Sequence, residues 1–177
     1  MPPPRNGEEL LTPLPMNILL TGASRGIGAA ARAALEQAGH RVAGHSTRGG
    51  SGLIDADFAR PDAPRQLWEQ AIHALGGRID VLVNNAGIYE AISDDASDDE
   101  WHAAWARTMT VNLQASSDLS RLAIQHFREA GGGRIVNVAS RAGYRGDSPQ
   151  HWHYAASKAA MVAVTKTIAR GYAAQNI

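Results

Sequence analysis

Thr21-Gly22-Ala23-Ser24-Arg25-Gly26-Ile27-Gly28 is the stretch that decides how this chain is read. It follows a short apolar run, Asn17-Ile18-Leu19-Leu20, and opens the Ala-rich segment Ile27 to Ala38, so it joins a buried strand to a helix. Glycines at such a turn let the backbone approach a pyrophosphate and let the helix pack closely on the sheet. The helix N-terminus then offers unpaired N–H groups to the anion. The spacing is Gly-x-x-x-Gly-x-Gly rather than Gly-x-Gly-x-x-Gly, and read alone the turn could be a tight structural connection. Its place between the first strand and the first helix is what points to a dinucleotide. Gly22, Ser24, Arg25, Gly26, Ile27 and Gly28 are therefore candidate cofactor-binding residues.

Downstream, Gly39 closes the first helix at a left-handed cap position. His40 to His45 reads as a second strand and Leu53 to Asp57 as a short third one. Pro61 to Leu75 is a predicted helix ended by Gly76-Gly77, and Ile79 to Val83 a fourth strand. The acidic run Asp94 to Glu100 reads as a helix start, with Ser97 and Glu100 forming a capping box, in preference to a metal site. Trp101 and Trp105 share a face of that helix and are expected in the core. A long helix is expected from about Val111 to Ala130, stopped by Gly131-Gly132-Gly133. Arg134 to Ala139 is a fifth strand, and the final helix runs from about Trp152 to Gln175. This alternation predicts an α/β fold, a three-layer doubly wound parallel sheet of Rossmann type with about five strands. Residues 16–177 form the nucleotide-binding domain, and residues 1–15, with Pro2, Pro3, Pro4, Pro13 and Pro15, a flexible extension.

A chain of 177 residues supports one such domain. Lys plus Arg equals Asp plus Glu at 17 each, which argues against a broad nucleic-acid or membrane surface. No stretch is apolar for long enough to span a bilayer, and the N-terminus lacks a signal-peptide layout. The absence of cysteine rules out disulfides and thiolate metal sites and fits a reducing cytoplasm. No metal site is expected, since His151-x-His153 lacks an accompanying acid.

The end of the second strand carries no carboxylate to hold a free ribose 2′-hydroxyl. Arg25 and Arg48 could converge on a 2′-phosphate there, with Ser46 and Thr47 adding hydroxyl groups. The bland alternative is two solvated arginines; the balance favours NADP(H) over NAD(H). Tyr154 and Lys158 lie four apart on one helix face, so an ammonium can lower the phenol pKa and make an acid/base for a carbonyl/alcohol pair. Ser140, at the C-terminal end of the fifth strand, could hydrogen-bond a substrate oxygen; a serine nucleophile is the rival, without a His–acid pair at motif spacing. Asn112, polar in an apolar setting, is either a structural hydrogen bond or the holder of a relay water.

Gly22-x-x-x-Gly26-x-Gly28, Asn84-Asn85-Ala86-Gly87, Asn112, Ser140 and Tyr154-x-x-x-Lys158 occur in the order found in the classical short-chain dehydrogenase/reductase family, which the chain resembles from Met16 onward. The resemblance implies Tyr154 as acid/base and Ser140 polarising the substrate oxygen. It further implies Lys158 lowering the tyrosine pKa and binding the nicotinamide ribose, and Asn112 organising a relay water. Asn85, Ala86 and Gly87 would line the adenosine side, and Asp57 would meet the adenine. Arg25 after Ser24 is similar to NADP(H)-preferring members.

Two departures stand out. The loop Arg141 to His153 looks about one residue longer than the family's, and Gln150 to His153 would help shape the substrate pocket. The family's chain also continues into a sixth strand, a substrate-covering segment and a seventh strand, whereas this sequence stops at Ile177. The expectation is therefore a fragment or shortened member, with its fifth strand an exposed edge and poor turnover unless another chain completes the surface. The rival function is a nucleotide-binding module without catalysis. Ala159 to Val164 is apolar around the helix, which together with the resemblance implies a homodimer or homotetramer through the last two helices.

Overall fold

A computed structural model describes residues 14–177, so the N-terminal extension lies outside the described residues except for its last two. In chain order the elements are β1 (Asn17–Leu20), α1 (Gly26–Gln37), β2 (Arg41–Ser46), β3 (Ile54–Asp55), α2 (Ala63–Ala74), β4 (Val81–Asn84) and α3 (Asp98–Met109). A π-helical turn (Thr110–Gln114) leads into α4 (Ala115–Ala130), followed by β5 (Arg134–Asn137), α5 (Ala142–Arg145) and α6 (Trp152–Tyr172). The Gly39 cap is left-handed, with φ +87°.

All five strands are parallel, in the order β3-β2-β1-β4-β5. The chain steps one way from β1 to β3 and the other way from β4 to β5, so the order reverses beside β1, where open α/β sheets place their ligand crevice. Right-handed crossovers put α1 on one face and α2 and α4 on the other. α6 joins the second face: Asn84 Nδ2 donates to Ser120 Oγ of α4 and to Asn137 Oδ1 beside it, and Asn137 Nδ2 donates to Thr165 Oγ1 of α6. The three layers are uneven, because α1 is the sole helix on its face among the described residues. The main core accordingly lies under α2 and α4, where Leu67, Ala71, Leu119, Ala123 and Phe127 bury against Leu19 and Leu82. Burial at ~25 cal/mol per Å² of apolar surface makes this the principal source of stability.

The expected strands and helices all occur, with ends shifted by a few residues. One boundary is different in kind. No break precedes Val111: α3 runs through the π-helical turn into α4 as one continuous rod. The capping box at its start is present, with Ser97 Oγ accepting from Glu100 N and Glu100 Oε2 from Ser97 N. Trp101 and Trp105 are only partly buried. They pack at the α3–α6 contact, against Trp152 and His153, rather than in the main core. The loop after β5 contains the short helix α5. β5 is the sheet edge, and Val136 is 48% exposed there.

Candidate active site

The turn between β1 and α1 is built for close approach. Gly22 and Gly26 have φ of +68° and +55°, and a Cβ on Gly28 would collide with the Gly22 carbonyl oxygen and lie 2.6 Å from Asn85 Nδ2. Arg25 occupies the N-cap and makes no capping bond, so the first N–H groups of α1 are left for another acceptor. Ser24, Arg25, Gly26 and Ile27 are exposed, Ile27 by 71%. Thr21 ties this turn to the Asn84–Gly87 segment: its Oγ1 accepts from Asn85 N and Ala86 N, both at 3.0 Å. Asn85 Nδ2 returns the link by donating to the Thr21 and Gly22 carbonyls, again at 3.0 Å. An uncapped helix start beside a glycine cradle fits a pyrophosphate.

The structure leaves the residues expected at the 2′-phosphate end less uniformly placed. Arg25 and Arg48 are exposed, and neither guanidinium is hydrogen-bonded among the described residues. Ser46 is buried, its hydroxyl donating to Gly49 O at 3.1 Å within its own loop. Asp57 is exposed, and its Oδ1 accepts from Ala59 N at 3.0 Å.

Lys158 is 4% exposed and donates from Nζ to Val138 O at 2.9 Å, with Nζ 5.9 Å from the Tyr154 ring centroid. Burial pushes its ammonium below the ordinary lysine range, and it forms no ion pair among the described residues. Gly87 sits between the two polar groups of this corner: a Cβ there would lie 3.2 Å from Asn112 Oδ1 and 3.6 Å from Lys158 Nζ. Asn112 is fully buried in the π-helical turn. Its Oδ1 accepts from Ile88 N at 2.7 Å, and its Nδ2 donates to Ile88 O and to Ser157 Oγ. The side chain thus makes the structural bonds that hold the π-helical turn to Ile88 and Ser157. Ser140 Oγ accepts from Ala142 N at 3.1 Å, starting α5 and leaving its hydrogen free to donate. No imidazole is bonded to Ser140 among the described residues.

The wall beside Tyr154 is aromatic. Tyr89 stacks on His151 at 3.9 Å and meets Tyr154 edge-on at 4.7 Å, while Ile92 N bonds to Gln150 O. Of the Gln150–His153 run expected at the pocket, His153 is instead in the first turn of α6, fully buried, with neither ring nitrogen bonded. Tyr89 and His45 carried no site signal in the sequence, since each acts through a partner remote in the chain. Thr21 and Ser157 lie inside the glycine-turn and Tyr154–Lys158 motifs, but their side-chain roles depend on Asn85, Ala86 and Asn112, which no local pattern links to them.

A family model described as short chain dehydrogenase matches residues 16–177. An uncharacterized oxidoreductase of Thermotoga maritima is 34% identical over 172 residues, covering 88% of this chain and 65% of that protein. The 3-oxoacyl-acyl-carrier-protein reductase FabG of Vibrio cholerae is 31% identical over 171 residues, covering 90% and 68%. The solved structure of a 4-hydroxyisoleucine dehydrogenase complexed with NADH superposes with a TM-score of 0.79 at 30% identity, covering 90% of this chain and 70% of that one. The chain spans about 65% of the length of the first two curated relatives it matches.

Proposed function

The chain belongs to the short chain dehydrogenase family, and we propose that it is an NADP(H)-dependent oxidoreductase interconverting a carbonyl and an alcohol. The observation that carries the reading is Lys158: a buried ammonium without an acidic partner, beside the ring of Tyr154. An unpaired buried charge is costly, and such a perturbed lysine in a crevice marks a functional site rather than a packing position. Tyr154 then gives a proton to a substrate oxygen during reduction, or takes one during oxidation. Ser140 donates its free hydroxyl hydrogen to that oxygen and orients it. The nicotinamide, when bound, supplies or accepts the hydride. Gly22, Ser24, Gly26, Ile27 and Gly28 would hold the pyrophosphate, Asn85 to Gly87 and Asp57 the adenosine half, and Lys158 the nicotinamide ribose.

The preference for NADP(H) rests on the exposed, unpaired guanidiniums of Arg25 and Arg48 and on a β2 end without a carboxylate. Asn112, beside Gly87 and Lys158, would organise a relay water. The domain is residues 16–177, with 1–15 as an extension. Assembly as a homodimer or homotetramer through α4 and α6 is supported by Ala159 and Ala163, which are exposed on α6. No helix among the described residues is long and apolar enough to cross a membrane. A cysteine-free chain suits the cytoplasm.

The test is NADPH and NADH binding by nicotinamide fluorescence, followed by turnover with a panel of ketones and aldehydes. NADPH should bind more tightly than NADH, and Tyr154→Phe should lower kcat by ~10²-fold or more while binding persists. Binding without turnover, unchanged by Tyr154→Phe, would show a nucleotide-binding module instead.

A further inference from the structure

We infer that His45 is a positioning residue of the dinucleotide site: its neutral imidazole couples the phosphate turn to the segment carrying Asp57, and protonation uncouples them. The inference rests on the dinucleotide reading above. His45 is 2% exposed, near the C-terminal end of β2. Its Nδ1 lies 3.2 Å from Gly22 N, and its Nε2 lies 2.8 Å from Ala56 O. A backbone N–H can only donate, so Nδ1 must be bare; a carbonyl can only accept, so Nε2 must carry the hydrogen. The two partners therefore select one neutral tautomer and exclude the imidazolium, which has no acceptor to offer Gly22.

The ring is held in place on a third side by Phe58, stacked at 4.4 Å, and the His45 carbonyl accepts from Ala23 N at 2.7 Å. Gly22 lies on the phosphate side of the crevice. Ala56 and Phe58 flank Asp57, the residue assigned to the adenine. One side chain thus spans the two lips of the proposed nucleotide site.

The charged surroundings do not supply a second stable state. Asp55 of β3 favours the proton but is outweighed by burial, which pushes the imidazole below its ordinary value. Asp57 is exposed in the next segment. β1, the turn Thr21–Ala23 and Phe58 bring no ionisable group, and the buried face of α2 is apolar. On α1, Arg32 lies against the neighbouring Gly44 but is paired with Glu36. When the ring is protonated, two N–H donors face each other across the Gly22 contact, and the turn must move.

The experiment compares NADPH dissociation constants for the parent chain, His45→Gln and His45→Leu between pH 8 and pH 5.5. Gln can accept and donate at these positions without titrating. The 2′-phosphate also titrates in this range, but identically for each protein, so the difference between profiles isolates residue 45. We expect parent affinity to fall more steeply with pH than that of His45→Gln, by at most about tenfold at pH 5.5, within the effect of losing roughly one hydrogen bond. His45→Leu should bind weakly at every pH, by about the same factor relative to the parent at pH 8. Superimposable parent and Gln profiles would overturn the role of His45 while leaving the dinucleotide reading intact. A parent that binds neither NADPH nor NADH at pH 8 would overturn both. Long-range nitrogen–proton NMR on the parent is independent of how the variants fold: an Nε2–H tautomer at pH 7 is expected, and an Nδ1–H tautomer or imidazolium would refute the coupling.

Discussion

Asn112 donates to Ser157 at 3.3 Å, joining the π-helical turn to α6 one residue before Lys158. Ser157 passes its own hydrogen to the Tyr154 carbonyl at 2.8 Å. The two residues thereby fix where α6 enters the active-site corner. Because both are fully buried, neither can exchange a lost partner for water.

Asn112→Leu would remove the acceptor of the part-buried Ile88 N–H and the donor to the buried Ser157 hydroxyl. A cost of about 1–3 kcal/mol is expected, which for a domain of this size lowers Tm by roughly 2–4 °C per kcal/mol. Thermal unfolding followed by circular dichroism checks it, and a Tm within 1 °C of the parent would contradict the assignment.

Gly28→Ala places a methyl group against the Gly22 carbonyl and the Asn85 amide. Overpacking against backbone costs about 1–3 kcal/mol, and the displaced turn should lose at least ~10-fold in NADPH affinity. Gly26→Ala is the comparison, since nothing lies within 4 Å of its Cβ position, although φ is +55°. Equal NADPH affinity for parent and Gly28→Ala would show that the turn does not need this close approach.

Lys158→Met separates stability from activity. Removing a buried ammonium that has no ion-pair partner, while keeping most of the stem, should change Tm little, because relief of the desolvation cost offsets the lost hydrogen bond to Val138 O. Turnover should fall by ~10²-fold or more, since the proposed acid/base pair loses its cationic member. A marked fall in Tm would mean that Lys158 is chiefly structural.

These expectations differ in how far the sequence foreshadowed them. Gly22, Gly26 and Gly28 could be read directly, because conformation and close approach are written in the residue type. Helical spacing suggests that Tyr154 and Lys158 share a face, but their roles are implied by the family resemblance. The rod from α3 to α4 was read as two helices, since the π turn has no composition of its own and is held by Asn112 bonding to Ile88. His153 was assigned to the pocket by its neighbours in sequence. The structure turns it inward against Trp105, which no periodicity in that short run could reveal.

His153 is expected to contribute to acid sensitivity. Burial, followed by repulsion from His151, pushes its imidazole below the ordinary value, with Glu90 acting the other way. The folded state then resists a proton that the unfolded chain accepts below pH ~6.5, so stability is full above that value and falls as the pH is lowered. His153→Leu should flatten this decline and raise Tm more at pH 5.5 than at pH 8. Parallel pH–Tm curves for the two proteins would show that His153 does not titrate differently on folding.

The π-helical turn has a further meaning for how this fold tolerates change in length. A π turn holds one residue more than the α-helical turn it replaces, and so absorbs the ~100° of rotation that one residue is worth about a helix axis. Deleting a single residue within 110–114 would therefore return the rod to regular α-helix with the buried faces of α3 and α4 still in phase. What it would remove is the widened turn that presents Asn112 to Ile88 and Ser157. The segment is thus a one-residue surplus that the two helices absorb without losing register, kept for the placement of one side chain.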